Sequence, residues 1–413
     1  IRLIWVWKFS KNMFFWRLDL YGYGNFQKKC FFFVFLFFFV GRPRRRRRRR
    51  PLHSGGPSGR AWPPRRRARA PVARAVLAAA RLRDEVVAVV VTGEGDKAFC
   101  AGGDVQALYH AATENLAAGS TVNDYPERFF AAEYRLDYIM HCYPKPLLTL
   151  GHGIVMGGGY GLFSASNFRV MTQRTRLAFP EITIGLFPDA GGTVVMRNLP
   201  PKVAALLTMT GSQVNATDAL ELGIGTHVVG HDEREAFLEG LEQLNWQAGS
   251  PQTNRAALAD YLASQAYSGD MPASDIAVVD VERIDLSSLS NCYSSIQELE
   301  GTSKWVDKGV AVLRKGCPIT AGIIFKQLSL GPSLSLAECF RAELAVATNC
   351  LSRPDFAEGV RALLIDKDQS PKWSVESIDD LSPSLIDEHF VGHWEEAGRL
   401  HPLGDLLDID SAG

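Results

Sequence analysis

Two carboxylates, Glu181 and Asp189, stand in a stretch that is otherwise apolar and rich in proline and glycine, residues 177–192 (LAFPEITIGLFPDAGG). Charged groups in such surroundings need partners or a function, because burying them unpaired is expensive. Paired carboxylates in an apolar pocket can drift apart in pKa and divide acid and base roles between them. The competing reading is structural: Glu181 caps a helix and Asp189 starts the next one before Gly191. Two glycine-rich segments lie upstream, 99–104 (FCAGGD) and 151–161 (GHGIVMGGGYG). Consecutive glycines at a strand-to-helix junction let a ligand approach the backbone closely. A helix that starts there presents free N–H groups and a partial positive charge. Two such turns could aim two backbone N–H groups at one oxygen, forming an oxyanion hole for a carbonyl under attack. Taken singly, each glycine cluster reads equally well as a tight turn.

The elements that must hold these segments follow from hydrophobic patterning. Residues 86–92 (VVAVVVT) form a continuous β-branched run, as expected for a strand buried on both faces. Residues 147–150 (LLTL) and 168–172 (FRVMT) read as further strands. Helical patterns fall at 126–142, 159–166, 201–210 and 216–222, and 76–85 reads as the end of a helix, so order is expected from about Val76. Strands alternating with helices argue for an α/β layered fold. From about 251 the pattern is mainly helical, with amphipathic stretches at 252–265 and 334–349. No internal repeat is visible.

Taken together and in order, these segments resemble the crotonase (enoyl-CoA hydratase/isomerase) superfamily over about residues 86–230. The motifs are the A-G-G-D loop, G-H-G-I-x-M-G-G-G and P-E-x-x-I-G-L-F-P-D-x-G-G. The resemblance implies a ββα spiral with roughly perpendicular sheets and a helical C-terminal region. It also implies an acyl-CoA substrate whose thioester carbonyl sits between the backbone N–H groups of Ala101 and Gly158. Gly102, Gly103, Asp104 and Gly157 would line the substrate site, and Glu133 would contact substrate. Enoyl-CoA hydratases add water with two glutamates, one matching Glu181 and the other falling at Gly161 here. The loss of that second glutamate, and Asp189 in place of a usual glycine, resemble the 3-hydroxyisobutyryl-CoA hydrolase branch, which acts in valine breakdown. The segments 355–368 (DFAEGVRALLIDKD) and 371–373 (PKW) look like that branch's ending. Glu181 would then be general base or nucleophile, and Asp189 would orient water or share a proton with it. No cofactor is implied beyond coenzyme A as part of the substrate. An enoyl-CoA hydratase/isomerase and a non-catalytic acyl-CoA binder stand as the alternatives.

The 413 residues, 46% of them hydrophobic, suffice for a sizeable core. A formal net charge of zero hides an asymmetry: residues 1–75 hold 20 Lys or Arg and one acidic residue, Asp19, leaving 25 basic and 44 acidic residues for 76–413. An acidic body gives no electrostatic case for nucleic-acid binding. The seven cysteines include no C-x-x-C pair, as expected of reduced thiols. His141 and His152 stand alone, so no metal-ligand cluster is expected. Residues 1–40 hold 16 aromatics and end in an apolar run of about 11 residues, too short for the ~20 a membrane helix needs. Seven consecutive arginines, Arg44 to Arg50, follow. The N-R-P-x-x-x-N-A-L type segment with which crotonases begin is missing. Residues 1–75 are therefore expected to be unstructured or aberrant, 76–250 the catalytic core, and 251–413 a helical region completing it. A cytoplasmic location is expected, with the mitochondrial matrix as the alternative and a homo-oligomer left open.

Overall fold

The computed structural model describes Leu77, residues 81–407 except 395–396, and backbone strands at 3–10, 13–20 and 32–40. One sheet has seven strands in the order β1-β2-β3-β4-β6-β8-β11. The strands are β1 (Leu3–Ser10), β2 (Met13–Leu20), β3 (Phe32–Val40), β4 (Val86–Gly93), β5 (Ala98–Cys100), β6 (Leu147–Gly151), β7 (Ile154–Met156), β8 (Phe168–Thr172), β9 (Arg176–Ala178), β10 (Val214–Asn215) and β11 (His227–Val229). From β4 to β11 the large sheet is parallel, with Val89 opposite Leu147 and Leu150 opposite Val170. Its central strands β4 and β6 are buried almost throughout, which is why they read as unbroken apolar runs. The second sheet, β10-β9-β7-β5, has short strands of two or three residues that carry too few positions to show a period.

Fourteen α-helices, among the described residues, surround and extend these sheets. They are α1 (Val105–Ala118), α2 (Tyr125–His141), α3 (Gly158–Ser164), α4 (Gly192–Arg197), α5 (Pro201–Thr210), α6 (Ala216–Glu221), α7 (Arg234–Glu242) and α8 (Pro251–Ser264), followed by α9 (Leu289–Gln297), α10 (Lys304–Lys315), α11 (Pro318–Leu330), α12 (Leu336–Ser352), α13 (Pro354–Val360) and α14 (Pro383–His389). The expected helices at 126–142, 159–166, 201–210, 216–222, 252–265 and 334–349 correspond to α2, α3, α5, α6, α8 and α12 within a few residues. Helix α1 was not anticipated; Asp104 starts it by accepting a hydrogen bond from Ala107 N at 3.1 Å. A second core cluster packs α2 and α12 together through Phe130, Tyr134, Phe340 and Leu344. None of the described helices is long and apolar enough to cross a membrane.

Within the segment expected to be unstructured or aberrant, β3 runs antiparallel to β4 from Val34 opposite Gly93 to Val40 opposite Val86, and β2 and β1 follow outward. Phenylalanine and valine favour extended chain, and a run apolar on both faces shows no alternation for a two-residue period to reveal. The expectation for 41–75 lies outside the described residues, as do residues 76 and 78–80 of the helix end at 76–85.

Candidate active site

The two glycine segments meet at the C-terminal ends of β5 and β7. Gly157 has φ 54° and ψ −135°, a conformation closed to side-chain-bearing residues, and Gly102 has φ 102°. A Cβ on Gly102 would lie 3.8 Å from Gly158 N, so the Ala101–Gly103 loop and the Gly157–Gly158 turn face one another. They open into a pocket of about 180 Å³ whose lining includes Ala101, Gly102, Gly103, Gly157 and Gly158 together with Glu133, Glu181 and Asp189. All but one of the expected site residues thus converge. The exception is Asp104, which does not line the pocket and whose carboxylate caps α1 instead.

The acidic groups flank the glycine turn. A Cβ on Gly157 would stand 3.1 Å from Glu181 Oε1, and one on Gly158 only 2.2 Å from Glu133 Oε1. Glu181 opens a one-turn 3-10 helix, Glu181–Ile184, and its Oε2 is buried without a hydrogen-bond partner. Burial first, and the negative charge of Asp189 second, hold its pKa well above the usual carboxylate range. Asp189 is 4% exposed and accepts a 2.8 Å hydrogen bond from Tyr134 Oη. Burial raises it to about 6, with the Tyr134 hydrogen bond opposing the rise. Glu133 is pushed up to about 8 by burial and then by Asp189. Ala190, next in the turn, is fully buried at φ 52°, a left-handed conformation that costs a non-glycine residue energy and is found where a site over-determines it.

Three further polar residues belong to this site and were not anticipated. Tyr134 and Asp137 lie on the face of α2 that carries Glu133, a 3.6-residue pattern visible in principle along 130–141. Both oxygens of Asp137 are buried without a partner, and burial followed by Glu133 raises its pKa well above the ordinary value. The third, Glu343 on α12, accepts hydrogen bonds from Gly191 N at 2.8 Å and Thr193 N at 2.9 Å. Burial raises it to about 7 against those bonds. No local signal links Glu343 to a turn some 150 positions earlier. The same turn region is tied to α11, where Thr320 Oγ1 donates to Leu186 O at 2.7 Å and Gln327 Nε2 to Pro188 O at 3.0 Å.

Position 161 bears directly on the chemistry. A Cβ there would lie 2.4 Å from Ala190 O and 2.7 Å from Ala190 Cβ. The space a second hydratase-type glutamate would need is occupied by the Asp189–Ala190 turn.

The family model described as enoyl-CoA hydratase/isomerase matches residues 72–390. This chain is a member of the enoyl-CoA hydratase/isomerase family. Within the family it is 34% identical over 304 residues to "3-hydroxyisobutyryl-CoA hydrolase, mitochondrial" of Dictyostelium discoideum, covering 73% of this chain and 78% of that protein. The protein of the same name from Gallus gallus is 36% identical over 310 residues, covering 74% and 77%. Among solved structures, a carnitinyl-CoA dehydratase from Mycobacterium thermoresistibile superposes with a TM-score of 0.66 at 29% identity, covering 78% of this chain and 88% of that one. An enoyl-CoA hydratase from Rhodobacter sphaeroides gives the same TM-score at 25% identity, covering 78% and 90%. The family and the crotonase fold expected from the motifs are therefore those of this chain.

Proposed function

We infer that this chain is an acyl-CoA thioester hydrolase acting on a short-chain 3-hydroxyacyl-CoA, with 3-hydroxyisobutyryl-CoA, the substrate in its relatives' names, as the first choice. That substrate places the reaction in valine breakdown, and the same names favour the mitochondrion over the cytoplasm. The observation that carries the reading is position 161: backbone fills the place of one hydratase glutamate, while Asp189, held by Tyr134, supplies a carboxylate in its stead.

In this reading the thioester carbonyl lies between the N–H groups of Ala101 and Gly158, which stabilise the oxyanion as it forms. Losing one such donor costs on the order of 10²–10³ in rate. Burial raises both carboxyls, and the charge of Asp189 raises Glu181 further, so the pair favours holding a proton between them. Attack by Glu181 itself, or by a water it activates, uses its ionised form, with Asp189 orienting the water or sharing the proton. Glu133, across the glycine turn, contacts the acyl group. Coenzyme A enters as part of the substrate.

The test is thiol release from 3-hydroxyisobutyryl-CoA, followed alongside hydration of crotonyl-CoA. Hydrolysis without appreciable hydration is expected. Efficient hydration with no thiol release would overturn the assignment in favour of a hydratase, and tight binding with neither reaction would leave a binder of acyl-CoA.

A further inference from the structure

Glu133, Asp137 and His141 recur every four residues along α2, the spacing that stacks side chains on one face of a helix with Cβ atoms about 5–6 Å apart. Glu133 lines the pocket. Asp137 is 0% exposed and neither of its oxygens has a partner. His141 is partly exposed, yet its Nε2 is buried and unpartnered and lies 3.6 Å from where a Cβ on Gly191 would stand. A buried carboxyl and a buried ring nitrogen left unsatisfied one turn apart call for an explanation, since such groups are costly without a hydrogen bond.

We propose that Glu133, Asp137 and His141 form a proton path that leads from the rear of the acyl site to solvent through helix α2. The inference rests on the hydrolase reading. In that reaction water's oxygen forms a bond to the acyl carbon and the C–S bond breaks. One proton of the water ends on the sulfur, and the other is released as the carboxylic acid ionises at neutral pH. The released proton arises beside buried carboxyls, at the end of a pocket whose entrance the substrate occupies. Glu133 takes it up on one oxygen while giving its own proton from the other to Asp137, Asp137 likewise passes its proton to His141 Nε2, and the imidazole releases one from Nδ1. A single buried water suffices to span a gap between neighbours, having polar groups on both sides.

The surroundings suit each member to this task. Asp137 is influenced by the charges of Glu133 on its own helix, Asp189 on the catalytic turn and Glu343 on α12, and Cys100 on β5 lies within its influence. Burial first, then those acidic neighbours, raise its pKa well above the ordinary value and so favour the protonated, donating form. His141 packs against the ring of Phe340 on α12, with centroids 6.0 Å apart, and feels Arg169 on β8 and Arg197 on α4. Burial first, then those two cations, lower it to about 4. The ring is therefore neutral at working pH, with one nitrogen able to accept and the other to donate.

The experiment uses the full chain and 3-hydroxyisobutyryl-CoA, following thiol release and bulk proton release together in stopped flow at low buffer. Wild type, Asp137→Asn, His141→Gln and His141→Ala are compared. Expected are an unchanged KM and a kcat lowered on the order of 10²-fold, the low end for a lost proton-transfer partner. Proton release should lag thiol release in both His141 variants, and added imidazole should restore turnover in His141→Ala. The proposal is overturned if the variants turn over within about two-fold of wild type at low buffer, or if the loss is insensitive to imidazole and proton release keeps step with thiol release, as a purely structural role would give. Should Asp137→Asn not fold, the two variants of partly exposed His141 decide the matter alone. Absence of thiol release in wild type would instead refute the hydrolase reading and the path with it.

Discussion

A Cβ on Gly161 has nowhere to go, because Ala190 O and Cβ stand 2.4 Å and 2.7 Å away and the turn that bears them is buried. Gly161→Glu should therefore not convert the protein into a hydratase. It should lower Tm, through overpacking worth about 1–3 kcal/mol or more, and abolish thiol release without bringing crotonyl-CoA hydration; a soluble variant that hydrates crotonyl-CoA would show that the turn can yield. Glu181→Gln preserves shape but not proton exchange. It should reduce kcat by about 10²–10⁴ while leaving Tm near that of wild type, and near-normal turnover would place the chemistry elsewhere. Asp189 has a distinct signature in pH. Its pKa lies near 6, so activity that needs its ionised form is lost as pH falls through that value. In Asp189→Asn the remaining activity should lack this acid limb, and a limb retained unchanged would assign it to another group.

At the scale of elements, the loop bearing Glu181 and Asp189 is shaped by helices far along the chain. Gly359 on α13 meets the 3-10 turn of Glu181 backbone to backbone: a Cβ there would fall 2.5 Å from Ile184 C, and one on Gly185 would fall 2.6 Å from Asp355 O. Gly359→Ala should push α13 off that turn. The expected result is a kcat at least about 10-fold lower, as small displacements of a reacting group cost rate steeply, with a lowered Tm; normal kinetics in the variant would mean that Glu181 is positioned independently of α13. This dependence explains what could be read from sequence. Strands β4, β6 and β8 and helix α5 were legible because buried runs and helical periods are local signals. Glu181, Asp189 and the glycine turns were legible because their types clash with their surroundings, whereas Glu133 came only from the family resemblance. Glu343 was not, since a glutamate on an amphipathic helix looks like any solvated one until the fold brings it against Gly191. Asp104 was misread for a related reason: a carboxylate at the end of a glycine loop serves equally well as a helix cap. Strand β3 was missed because an all-apolar run carries no period.

For the whole molecule, the acidic site sets a cost that varies with pH. Asp189, Glu343 and Glu133 have folded-state values raised to about 6, 7 and 8 from ordinary values of 3.8, 4.5 and 4.5. Raised values mean that the folded state holds protons the unfolded chain would release, so their stabilising contribution is complete below about pH 4 and is lost as pH rises through 6 to 8. Tm should fall between pH 5 and pH 8.5, and Glu133→Gln should flatten the upper part of that fall in a calorimetric series; an identical pH slope in the variant would show that Glu133 does not titrate in this range. The two hydrogen bonds from Gly191 and Thr193 to Glu343 carry a consequence in time. At ordinary synthesis rates the roughly 150 residues between them take about 8–30 s to emerge. During that interval the nascent chain already contains the glycines and carboxylates that line the pocket, while the acceptor that fixes the turn after Asp189 has yet to be made. Synthesis that stops before Glu343 is added therefore leaves a product with the pocket's glycines and carboxylates present and the turn that carries Asp189 unanchored.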